Sequence, residues 1–153
     1  MDVLHYIIFF PIAVGIVLFL IPERFKAIKA LLALVVSAVV LYLGITVYGY
    51  EHQTLKLSLF ENSVPAGTLL HQLLAGAGAY FTLNIDALSK LIVLFVAGFA
   101  LIISIYSTRY INREKAIYHF YPFFLITLGC AMGAVLADNL LLFILFWGIL
   151  GFT

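Results

Sequence analysis

Charge is what this sequence has least of. Asp, Glu, Lys and Arg make up 10% of its 153 residues, against about 25% in soluble domains, and hydrophobic residues make up 65%. With a mean hydropathy of +1.20, an ordinary soluble globule is excluded. The formal net charge of +1 provides no basic field for nucleic acid. Cysteine is nearly absent too. The lone Cys130 excludes an internal disulfide and cannot by itself hold zinc or an iron–sulfur cluster, so it reads as a small buried apolar residue, and neither metal nor cofactor is expected. A basic leader is missing as well: Asp2 precedes the first apolar run, which ends at Pro22-Glu23 without a small-residue cleavage site, unlike a cleaved signal peptide. There is no internal repeat and no low-complexity tract.

What fills the chain instead is a series of charge-free runs: 20 residues from Val3 to Pro22, 21 from Ala30 to Tyr50, 18 from Leu91 to Thr108 and 22 from Ala116 to Ala137. Each approximates the roughly 20 residues that cross a bilayer as helix. A fifth run, 15 residues long, extends from Asn139 to Thr153. The expected fold is therefore an all-α integral membrane domain over 1–153, with about five transmembrane helices near 3–22, 28–49, 86–107, 117–137 and 139–153. No stretch is left for a soluble catalytic domain.

Basic residues set the expected orientation. Arg24, Lys26 and Lys29 follow the first helix and Arg109, Arg113 and Lys115 the third, whereas 52–85 carries only Lys56 and Glu61. By the positive-inside rule both basic loops face the cytoplasm, and the N-terminus lies outside. Tyrosines such as Tyr6, Tyr42, Tyr48, Tyr106 and Tyr118 fall near helix ends, as an aromatic belt requires. Between the second and third helices, alternation at Leu55, Leu57 and Leu59 followed by Asn62–Gly67 predicts an extracytoplasmic hairpin, and Leu69–Ile85, interrupted by His71, Gln72, Gly76, Gly78 and Asn84, predicts an interfacial segment. His5, His71 and His119 lack metal-ligand spacing and read as interfacial histidines.

Only a short polar turn separates the fourth and fifth runs, so those helices are expected to be antiparallel neighbours. Gly129 and Gly133, continued by Ala137, form a small-xxx-small stripe for close helix approach; Gly98 offers a further narrow point, as do Gly148 and Gly151 beside Trp147. Ionisable residues at helix ends supply the candidate ion path. Asp86 and Lys90 are four apart and share a helix face, the lysine about 6 Å deeper. Asp138 begins the fifth helix and reads either as a cap or as a third ion-path candidate.

Three short stretches carry a family resemblance: Phe81-Thr82-Leu83-Asn84-Ile85-Asp86-Ala87-Leu88-Ser89, Tyr106-Ser107-Thr108-Arg109-Tyr110-Ile111, and Ala137-Asp138-Asn139 through Phe146-Trp147. The chain resembles the N-terminal portion of the antiporter-like, proton-conducting membrane subunits of respiratory complex I, a family shared with membrane-bound hydrogenases and multisubunit cation/proton antiporters. The resemblance implies a proton- or cation-translocating subunit of a redox-driven complex, in which NADH:quinone or hydrogenase chemistry occurs on other subunits. The alternatives are a component of a cation/proton antiporter and a non-conducting structural subunit. Implied partners are the bilayer and other membrane subunits, with no nucleic acid, in a bacterial or archaeal inner membrane.

Two departures qualify the transfer. Family members usually carry an intramembrane glutamate after the tryptophan of the fifth helix, and here Gly148 follows Trp147. That position lies roughly 14 Å along the helix from Asn139, near the middle of a ~30 Å hydrocarbon core. Relatives also have about a dozen or more helices, so this chain is expected to be the N-terminal piece of a longer subunit.

Overall fold

The structure, a computed structural model, describes residues 3–22, 25–49, 54–56, 82–110 and 119–153. Its elements run α1 (Val3–Leu20), α2 (Lys26–Tyr48), β1 (Thr54–Lys56), β2 (Thr82–Asn84), α3 (Ala87–Tyr110), α4 (Phe120–Leu136) and α5 (Leu140–Phe152). Three helices, α1, α2 and α3, are long and apolar enough to cross a membrane; α4 and α5 are apolar but shorter, at 17 and 13 residues. The expectation of five spanning helices is thus met by length in three. Large hydrophobic side chains such as Ile16, Leu31, Phe95, Phe99 and Ile102 point outward all around the bundle, which in water would be a prohibitive surface and in lipid is the ordinary one.

Helix periodicity decides what packs where. On α2 the buried positions are Lys29, Ala30, Ala33, Val36, Ser37, Val40, Gly44 and Val47; on α3 they are Ser89, Val93, Ala97, Ala100, Ser104 and Ser107. Both sets repeat every three or four residues, so each helix buries one stripe, and α2 packs along α3. The stripes are built from small side chains, which lets the backbones approach where lipid provides no hydrophobic drive. A Cβ on Gly44 would lie 3.6 Å from Val93 and 3.7 Å from Ala97. Serines are accommodated by bonding to their own helix: Ser37 Oγ donates to the Ala33 carbonyl at 2.8 Å and Ser107 Oγ to the Ser104 carbonyl at 2.9 Å.

The other close pair is α1 with α4, which run antiparallel. A Cβ on Gly129 would lie 2.6 Å from the Ile8 carbonyl oxygen and 2.5 Å from Ile12 Cγ1; one on Gly15 would meet Ile126 at 2.8 Å. Nearer the other end of this pair, Phe19 packs edge-on against Phe123 with ring centres 5.2 Å apart. α5 then leans on α4 through Phe146, whose ring sits where a Cβ of Gly133 would be. Thr127 and Thr153 join the same two helices through a hydroxyl–hydroxyl hydrogen bond of 3.0 Å.

The extended segments differ from the expected hairpin in their pairing. A strand does start where alternation placed one: β1, described over Thr54–Lys56, pairs antiparallel with β2, Thr54 opposite Asn84 and Lys56 opposite Thr82. Asn84, read in sequence as part of an interfacial segment, is therefore a strand residue. A further antiparallel bridge joins Leu83 to Ala137. The predicted turn Asn62–Gly67, together with His71, Gln72, Arg113 and Lys115, lies outside the described residues.

Candidate ion-path residues and a buried polar junction

Asp86 is exposed and immediately precedes α3; Lys90, one turn on, is half-buried. The start of the helix is closed by Ser89, buried against the bundle. The Asp86 amide donates to Ser89 Oγ at 2.8 Å, and Ser89 Oγ donates back to the Asp86 carbonyl at 2.9 Å. A side chain three residues into a helix that reaches back to the entering amide satisfies a donor with no helical partner, so this backbone is held independently of either charge. Because Asp86 and Lys90 share a face, Lys90→Met is expected to lower the folded yield, and adding Asp86→Asn to restore part of it. Additive losses, measured by quantitative membrane extraction, would show that the two act separately.

Asp138 is exposed in the connection between α4 and α5. It is not the cap. That role belongs to Asn139, whose Oδ1 accepts from the Leu141 amide at 3.0 Å and whose carbonyl accepts from the Phe143 amide at 3.0 Å. The Leu83–Ala137 bridge brings the two acidic segments to one end of the bundle, Asp86 three residues beyond one partner and Asp138 one beyond the other.

Gly148 and Gly151 lie on the outward face of α5, where a Cβ would meet nothing within 4 Å, and Trp147 beside them is 64% exposed. Gly98 on α3 is equally open. Gly15, Gly129 and Gly133 are at close helix contacts; among the described residues Gly98, Gly148 and Gly151 are not.

At the opposite end the helices converge on a polar junction that sequence reading passed over. Ser107 of α3 and Tyr121 of α4 are both buried, and the Tyr121 hydroxyl donates to the Ser107 carbonyl at 3.3 Å. Lys29 of α2 is only 4% exposed. The available signal was its spacing, four residues before Ala33 on the buried stripe, but a lysine in a basic loop reads first as a solvated charge. Ser104 Oγ, one turn from Ser107, is completely buried and makes no hydrogen bond.

With this arrangement in view, similarity to known proteins falls on the same segments. A family described as "NADH-Ubiquinone oxidoreductase (complex I), chain 5 N-terminus" matches residues 74–121, a stretch that includes β2 and α3. The "Na(+)/H(+) antiporter subunit A1" of Staphylococcus aureus (strain bovine RF122 / ET3-1) is 26% identical over 155 residues, covering 100% of this chain. The protein of the same description from Staphylococcus haemolyticus (strain JCSC1435) is also 26% identical over the whole chain. The chain is thus similar to the N-terminal portion of the antiporter-like subunit family. The chain spans 18% of the length of these curated relatives. Its three helices long and apolar enough to cross a membrane, with the similarity to antiporter subunits, support an integral membrane protein.

Proposed function

We propose that the chain forms the N-terminal part of a cation/proton-translocating membrane subunit of the multisubunit antiporter type. The observation that carries this reading is the match along the entire chain to proteins described as Na(+)/H(+) antiporter subunits. A second reading, a subunit of a redox-driven complex, is favoured by the complex I family match over 74–121. In either case the outward apolar faces of α3 and α5 are covered by lipid and by further membrane helices of the assembly.

Within this proposal Asp86, Lys90 and Asp138 flank one mouth of the path. They are at a bundle end and expose charge to water, where a cation is first attracted, whereas Gly148 lies deep along α5 and carries no proton itself. The residues that complete the path come from outside this chain. The mouth faces the extracytoplasmic side, because Lys26, Lys29 and Arg109 gather at the opposite end. In a Cys130→Ala background, a membrane-impermeant maleimide is expected to label a cysteine placed at Ser63 and to spare one at Arg113 in intact cells. Labelling at position 113 would reverse the orientation.

Everted vesicles from cells lacking their own antiporters, expressing this chain with its co-encoded subunits, test the activity. Added sodium is expected to dissipate a preformed proton gradient. Proton uptake that instead requires NADH or hydrogen, with no response to sodium, would overturn the antiporter assignment in favour of the redox-driven one.

A further inference from the structure

We draw no further inference here: the strongest candidate, the outward apolar face of α5 along Leu141, Ile144, Gly148 and Gly151, is open to a packing partner, but nothing in the structure shows what covers it.

Discussion

Gly129→Leu is expected to be the most damaging single change in the described bundle. A side chain there meets the backbone carbonyl of Ile8 and the branched side chain of Ile12, and the carbonyl cannot move aside by changing rotamer. Overpacking of a close contact costs about 1–3 kcal/mol where side chains yield, and more where backbone must shift. For a chain of this size that corresponds to a drop of roughly 5–10 °C in Tm, with separation of α1 from α4. Gly133→Leu is expected to cost less, because its obstacle is the Phe146 ring, at the end of a rotatable side chain on a short helix. Gly148→Leu should be neutral, since nothing lies within 4 Å. Thermal unfolding in detergent, followed by circular dichroism, provides the ranking; equal losses at positions 129 and 148 would refute the assignment of the α1–α4 contact as the tight one.

Gly148→Glu addresses the missing acid directly. The open face of α5 imposes no steric penalty at this position within the chain. An isolated carboxyl facing hydrocarbon would stay protonated and still cost a few kcal/mol, whereas a wet path with a facing cation from another part of the assembly would hold it ionised. In the assembled complex the variant is therefore expected to fold and to raise proton flux in reconstituted vesicles. Loss of the folded complex would mean that the position is a packing surface for a neighbouring helix, with no proton path preserved beside it.

The parts of this fold legible in sequence are those decided by local physics. Long charge-free runs place all five helices to within a few residues, and the spacing of Gly129 and Gly133 coincides with close contacts because a helix stripe is fixed by its own periodicity. Pairings between distant segments were not legible. Nothing local to Thr54–Lys56 says that its partner is Thr82–Asn84 and not a nearer strand. The start of α5 turned on one residue: Asp138 and Asn139 are both good caps, and the hydrogen bond from the Leu141 amide to Asn139 Oδ1 shows that Asn139 is the one in place. Lys29 was misread for the opposite reason, its charge outweighing a spacing that put it on the buried stripe of α2. The resemblance to antiporter-like subunits was visible in Phe81–Ser89, Tyr106–Ile111 and Ala137–Trp147; the choice between redox-driven and antiporter complexes was not legible in these stretches.

The antiparallel bridge between Leu83 and Ala137 has a bearing on the order of assembly. Helices enter a bilayer one after another as synthesis proceeds, and α1, α2 and α3 can be in place before Ala137 has been made. The segment leading into α3 therefore waits with an unpaired edge until α4 has crossed and the chain has turned toward α5. Once Ala137 arrives, its backbone holds the level of α5 against the chain entering α3, so that a slip of α5 by one turn would break hydrogen bonds at an end where Leu83 and Ile85 are already shielded from water. The turn between the last two helices thus acts as a late latch, fixing how deep the Phe146–Gly151 stretch sits in the membrane.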